Sequence, residues 1–329
     1  MRLTLASLLL VAVATGAYAQ PAAEAPRLQV GLAAAADLSA VYPSTVFLSP
    51  VTELTASFRL ADGEAFERLS ASWIAVDVGA AAPPNFEIVA SELKLNGMTS
   101  GRFRYEQPQP MPEGRYRIEV AADGEPWQST EFEIAPARGA QSSSEVDLVP
   151  LAAGQQWTYR FEQRPGQGAR IEIPGVTPDP DGAFSATVEI SVGDSDADEA
   201  HLITFRNGEP VFEEWWRLDD AGLWALRRKQ GANETVLDPP QLLWAMPGTA
   251  EQWTYPPFEQ SFRMWGPMPM SGPWGKGEGY VVLLRQPADA PLATVERHFV
   301  PGIGMVREII VQAIAGKLMS RQEMELMKR

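Results

Sequence analysis

Leu151-Ala152-Ala153-Gly154-Gln155-Gln156-Trp157-Thr158-Tyr159 decides how the C-terminal half of the chain is read. Its last four residues recur letter for letter as Gln252-Trp253-Thr254-Tyr255. Each copy follows a short apolar segment and a glycine, Gly154 or Gly248, and leads into a polar, aromatic run. Residues two apart in a strand point to the same face. Each copy therefore predicts the start of a strand with a Trp and a Tyr side by side on one face. The half reads as two passes of one β-motif, closed by a third marker, His298-Phe299-Val300-Pro301-Gly302-Ile303-Gly304-Met305-Val306.

Working outward, strands are predicted over 157–161, 184–192, 202–205, 210–218, 223–228 and 242–246, then 258–265, 280–284, 292–300, 305–314 and 317–326. Asn207-Gly208, Asp220-Ala221-Gly222 and Ala315-Gly316 supply turns between them. No amphipathic helical pattern interrupts this order. About ten strands in hairpin sequence predict an antiparallel curved meander or half-closed β-barrel over 147–329.

Upstream, residues 27–136 also alternate. Ser70–Asp77, Phe86–Leu95, Phe103–Glu106 and Gly114–Ala122 are strand-like, and Tyr116, Ile118 and Val120 share a face. Asp62-Gly63, Asn96-Gly97 and Asp123-Gly124 are read as hairpin turns. Seven or eight strands in this length fit an antiparallel sandwich. The segment resembles the immunoglobulin-like domains of bacterial extracellular proteins on its Gly114-Arg-Tyr116-Arg-Ile118-Glu-Val120 … Asp123-Gly124 … Phe132-Glu-Ile134 hairpin. That resemblance implies a corner role for Tyr116. Residues 137–146, with Ser142-Ser143-Ser144, read as the linker.

Residues 1–19 have the pattern of a secretory signal: Arg2, an apolar run from Leu3 to Thr15, and Ala17-Tyr18-Ala19 before the cleavage point. Residues 20–26 read as a flexible lead. The expectation is a secreted or periplasmic protein, not an integral membrane protein, since the run is too short for a permanent span. With no Cys in the sequence, thiol nucleophiles and thiolate metal sites are excluded. The formal net charge is −15, spread over both halves, which argues against nucleic acid as a partner.

The markers of the C-terminal half are similar to those of a family of uncharacterised secreted bacterial β-proteins: P-L-x-x-G-x-x-W-x-Y, a second G-x-x-W, then W/H-F/Y-x-P-G-x-G-x-V. The matching residues are Pro150, Leu151, Gly154, Trp157, Tyr159, Trp253, Phe299, Pro301, Gly302, Gly304 and Val306. Gly248 stands two residues further from Trp253 than Gly154 does from Trp157. The family in turn resembles lipoprotein-carrier-like half-barrels, which hold acyl chains in a concave sheet. The resemblance implies a binding or structural role and no particular reaction.

Candidate chemistry gathers around Met264-Trp265-Gly266-Pro267-Met268-Pro269-Met270-Ser271-Gly272-Pro273-Trp274 and the glycines to Gly279. Its Gly and Pro content argues against a continuous strand and for a mobile apolar flap at the barrel mouth. Met264, Trp265, Met268, Met270 and Trp274 are thus candidate ligand contacts. Trp216 joins them, because adjacent Trp215 and Trp216 face opposite sides of a strand. The plainer reading of all these residues is core. Gly154, Trp157, Tyr159, Trp253, Tyr255, Pro301, Gly302 and Gly304 are read as structural.

Three methionines could attract Cu(I), but no His or Cys accompanies them. Asp194–Glu199 opens like a calcium loop yet lacks its Gly and final Glu. Ser91 and Lys94 sit on opposite faces of a strand, as do Glu213 and Glu214, and Glu296 with His298 reads as a surface ion pair. No metal, cofactor or nucleophile motif emerges.

The sequence thus points to an exported non-catalytic envelope protein binding an apolar or acyl ligand, with the N-terminal domain as a spacer or docking module for another envelope protein. A structural or adhesive protein with a filled barrel is the alternative, and a hydrolase using barrel-mouth carboxylates a third. Cleavage within 137–146 is expected to give two fragments that each unfold cooperatively. Circular dichroism and amide dispersion of the purified fragments check this; a fragment without β-structure places the boundary elsewhere.

Overall fold

The computed structural model describes residues 13–14, 27–136, 148–166, 168–171, 178–179, 182–195, 199–286, 292–314 and 317–328. It divides into two compact units, one of residues 21–142 with 267–269, the other of residues 1–20, 143–266 and 270–329. The signal and lead segments beyond residues 13–14, the linker 137–146, Asp196 to Asp198 and the Ala315-Gly316 turn lie outside the described residues.

The larger unit holds, besides a two-residue pair of Val13–Ala14 with Arg170–Ile171, one antiparallel sheet of twelve strands: β1 (Gln156–Pro165), β2 (Phe184–Ser195), β3 (Ala200–Arg206), β4 (Glu209–Asp219), β5 (Gly222–Gln230), β6 (Asn233–Ala245), β7 (Gln252–Tyr255), β8 (Gln260–Gly272), β9 (Gly275–Arg285), β10 (Leu292–Val300), β11 (Gly304–Ile314) and β12 (Lys317–Lys328). Its order is β6-β5-β4-β3-β2-β1-β12-β11-β10-β9-β8-β7. Every strand lies beside a neighbour in sequence except at the centre, where β1 and β12 pair, with Tyr159 opposite Leu326 and Phe161 opposite Met324. The sheet is barrel-like and nearly closed, and its open seam lies between β6 and β7. Asn207-Gly208 closes the β3–β4 hairpin as its sequence predicts.

Two segments differ from the sequence reading, both because of proline. Asn233–Ala245 is continuous through Pro239 and Pro240. Gln260–Gly272 is continuous through Pro267 and Pro269, so Met264–Gly279 is a β8–β9 hairpin rather than a loop. Proline is tolerated where no ladder bond is required. β6 is an edge strand, and β7 pairs only with Gln260–Arg263 of β8, so Pro267 and Pro269 lie beyond its ladder. Gly266, at φ +145, lets the chain pass close to the Gly279 carbonyl, where a Cβ would stand 2.8 Å from the oxygen. Both segments lengthen strands expected over 242–246 and 258–265, and Gln252–Tyr255, a short strand of its own, completes the twelve.

The N-terminal unit is a β-sandwich. Its five-stranded sheet runs Val46–Leu48, Glu125–Ala135, Gly114–Ala122, Arg68–Asp77, Phe86–Lys94 in spatial order. Its three-stranded sheet runs Leu28–Gly31, Glu53–Arg59, Ser100–Glu106. Tyr116, Ile118 and Val120 are buried along one face as their alternation predicts. Trp73 joins the sheets by packing on Tyr105, ring centroids 5.7 Å apart, and Phe132 stacks on Tyr116 at 5.4 Å. The Tyr116 hydroxyl donates to the Pro112 carbonyl at 2.6 Å, the corner contact that the resemblance implies. Burial, with Tyr105 beside it, pushes the Tyr116 phenol up to about 12. Of the three Asx-Gly pairs only Asp123-Gly124 closes a hairpin. Asp62-Gly63 and Asn96-Gly97 instead carry the chain from one sheet to the other, because the strands flanking them find their partners elsewhere.

Trp157 and Tyr159 begin β1, both buried. The Trp157 indole N–H donates to the Ile303 carbonyl at 2.8 Å, and the Tyr159 hydroxyl to the Met305 carbonyl at 2.8 Å. Trp157→Ala therefore removes an indole from a packed site and orphans a carbonyl. The expected cost is about 3–5 kcal/mol, read as a fall in the urea midpoint at unchanged slope; an unmoved midpoint would show the indole to be dispensable.

Candidate functional site

Because opposed residues of an antiparallel pair share a face, one face can be followed round the sheet from Trp157 and Tyr159. It carries Phe161, Gln163, Thr204, Glu214, Trp216, Arg228, Gln241, Arg297, Glu308, Gln322 and Met324. On this face the indole of Trp244 from β6 stacks on Phe299 of β10, centroids 4.6 Å apart, and lies 5.8 Å from Tyr280 of β9. Strands far apart in the sheet thus meet here, and this face is the inner one.

Side chains, not a backbone ladder, hold the seam. The Trp253 indole donates to the Leu242 carbonyl at 3.0 Å and the Tyr255 hydroxyl to the Pro239 carbonyl at 2.9 Å. The second Gln-Trp-Thr-Tyr copy thus works as the first does, with indole and phenol donating to carbonyls outside their own ladder. Burial raises the Tyr255 phenol and keeps it a donor. Beside it a polar chain crosses the seam. Arg228 donates to Glu214 at 2.7 Å and to Gln241 at 2.6 Å, and the Gln241 amide donates to Gln260 at 2.6 Å. A second buried pair, Arg297 with Glu308 at 2.6 Å, links β10 to β11. Tyr159 is held protonated by burial and by the Glu308 carboxylate near it.

The structure brings only some of the sequence-predicted contacts together. Met264 is buried on the face of β8 that carries Gln260 and Phe262; Met268 and Met270, beyond Gly266, are buried too, but the Met270 sulfur lies beside Val300 where a Cβ on Gly279 would stand, on the face opposite Tyr280. Trp216 is buried on the inner face of β4. Trp265 lies on the other face of β8, where its ring stacks with the Arg263 guanidinium at 4.8 Å. Trp274 is half-buried in the β8–β9 turn, against Gly272. Five inner-face atoms are buried with no hydrogen-bond partner among the described residues: Gln163 Oε1, Gln322 Oε1, Arg206 Nη1, Trp216 Nε1 and Trp244 Nε1.

On the outer face Trp215 stacks with His201 at 4.3 Å and with the Arg227 guanidinium at 4.1 Å. His201 also bonds Glu213, whose other oxygen takes Lys229. The Lys229 hydrogen bond, with that of His201, holds the Glu213 carboxyl below its ordinary range. Glu213 and Glu214 do face apart. Glu296 and His298 form a pair at 2.7 Å, but both are buried, so it is no surface ion pair. Among the described residues no three metal-binding side chains cluster, and no helix is long and apolar enough to cross a membrane.

Sequence reasoning missed the Arg228–Glu214–Gln241–Gln260 chain. The shared parity of Glu214 and Trp216 was its one available signal. Gln241→Ala would remove the Gln241 bonds to Arg228 Nη2 and to Gln260 Oε1, at about 1–3 kcal/mol each. The expected result is faster hydrogen exchange in β6 and β7 than in β1 and β12; uniform exchange would show that the chain does not hold the seam.

The sequence matches no protein-family model. No curated protein matches it significantly. Two solved structures are similar over 56% of this chain and 98% of their own: a candidate lipoprotein from Parabacteroides distasonis (9% identity, TM-score 0.30) and a candidate exported protein with a YmcC-like fold from Bacteroides fragilis (10% identity, TM-score 0.26).

Proposed function

We propose that the protein is an exported, non-catalytic envelope protein that binds an apolar or acyl ligand on the inner face of its barrel-like sheet. One observation carries the reading: the seam closed only by side chains lies beside the strand that buries Met264 on the face of Gln260 and Phe262. A seam without a ladder parts at lower cost than a paired edge, and methionine side chains adapt to irregular apolar partners. Trp216 extends the apolar wall from β4. Trp265 and Trp274 fall outside the contact set, since one faces outward and the other sits in a turn. The non-catalytic part rests on the inner-face acids: Glu214 and Glu308 are each held by an arginine. The sandwich is the spacer or docking module for an envelope partner.

A structural or adhesive protein is the second reading, favoured by Trp244, Phe299 and Tyr280, which occupy part of the inner face themselves. Native mass spectrometry of protein purified from its own host, with organic extraction of any adduct, separates the two. An extractable lipid-like adduct, with Trp fluorescence that shifts on rebinding it, is the expected result. Bare protein that leaves a fatty-acyl titrant unbound would establish the filled barrel.

A further inference from the structure

Gln163 of β1 and Gln322 of β12 stand opposite each other in register on the inner face. They are 1% and 3% exposed, and the Oε1 of each has no hydrogen-bond partner among the described residues. Two adjacent buried carbonyl oxygens without donors are unusual, because such a group keeps its desolvation cost unless something donates to it. Their directly opposed neighbours across the ladders are apolar. Phe184 lies opposite Gln163, Ile310 opposite Gln322, and the Phe161–Met324 pair is next along the same face. The neighbouring Ser320 hydroxyl is committed to Gln312 at 3.0 Å.

We infer that Gln163 and Gln322 form the polar end of the binding surface and accept hydrogen bonds from the hydroxyl groups of a neutral, hydroxyl-bearing amphiphile. The inference rests on the ligand-binding reading above and adds the class of headgroup. Two acceptors call for a donor. An ammonium group would need a counter-charge, and the inner-face carboxylate of Glu308 is already held by Arg297. A carboxylate offers no proton to either oxygen. The guanidinium of Arg206, 5.9 Å over the Phe184 ring, further disfavours a cation; its Nη1, also buried with no partner among the described residues, suits an anion, but an anion alone leaves both glutamine oxygens without a donor. A hydroxylated head satisfies both oxygens without burying charge, and its chain gains by covering Phe161 and Met324.

The test titrates the mature full-length protein, by Trp fluorescence, with a monoacylglycerol and with the methyl ester of the same acyl chain. The glyceride is expected to bind about tenfold tighter, the factor that roughly one net hydrogen bond supplies. In the Gln163→Leu/Gln322→Leu variant that preference should vanish while methyl-ester affinity holds. Equal affinities in the unmodified protein, or a preference that survives the double substitution, overturn the inference and leave the ligand-binding reading standing. Binding of neither compound sinks that reading and this inference with it. The comparison in the unmodified protein decides the matter even if the variant fails to fold.

Discussion

The barrel-like sheet depends on two hydrogen bonds from β1, Trp157 to Ile303 and Tyr159 to Met305. β1 and β12 are the first and last strands, so their pairing closes the longest loop in the unit. Such contacts form late and must offset a large chain entropy. Indole and phenol supply area and a donor together. They reach past the end of β12 to the β10–β11 turn, which fixes where β1 lies along the sheet. Gly304, at φ +98, belongs to this contact: a Cβ there would stand 3.6 Å from the Trp157 indole nitrogen and 3.3 Å from a Val149 methyl. The Gly-x-x-Trp-x-Tyr and Pro-Gly-x-Gly-x-Val markers are therefore two sides of one joint.

The duplicated Gln-Trp-Thr-Tyr gives the sheet a second joint of the same chemistry but a different outcome. At the first, a full ladder runs from Thr158 to Pro165. At the second, the partner strand carries Pro239 and Pro240, and β7 has only four residues. Prolines cannot donate to a ladder. What remains are the indole, the phenol and the Gln241–Gln260 bond. The same device that locks one end of the meander to the other leaves the seam as its weakest lateral contact.

The interior is not a plain hydrocarbon core. Arg228 with Glu214 and Arg297 with Glu308 are ion pairs on the inner face, and glutamines extend them. Pairs of this kind seldom add net stability over apolar residues of like volume, yet they penalise any register that separates them. In a meander whose strands look alike, that selectivity has value. The aromatic cluster of Trp244, Phe299 and Tyr280 and the Met264 thioether of β8 then divide the face into stacked rings and adaptable apolar wall.

Much of this was legible from residues alone. Alternation identified β1 to β5 and β9 to β12, and the repeat showed two Trp-x-Tyr starts with a shared role, because period-two patterning is a local property of the chain. The opposed faces of Glu213 and Glu214 followed from the same logic, while the corner contact of Tyr116 came from the resemblance to immunoglobulin-like domains. Tertiary structure alone decided the rest. Proline reads as a strand breaker until the strand is known to be an edge, so only the 242–246 end of β6 and the 258–265 end of β8 read as strand, and Met264–Gly279 read as a loop. An Asx-Gly pair reads as a hairpin until the flanking strands choose other sheets. Trp265 could be assigned to its face only once the strand through Gly266 existed. The meeting of Gln163 with Gln322, and of Arg228 with Glu214 and Gln241, depends on which strands become neighbours. That is settled by the closure of the whole sheet and is written in no single stretch.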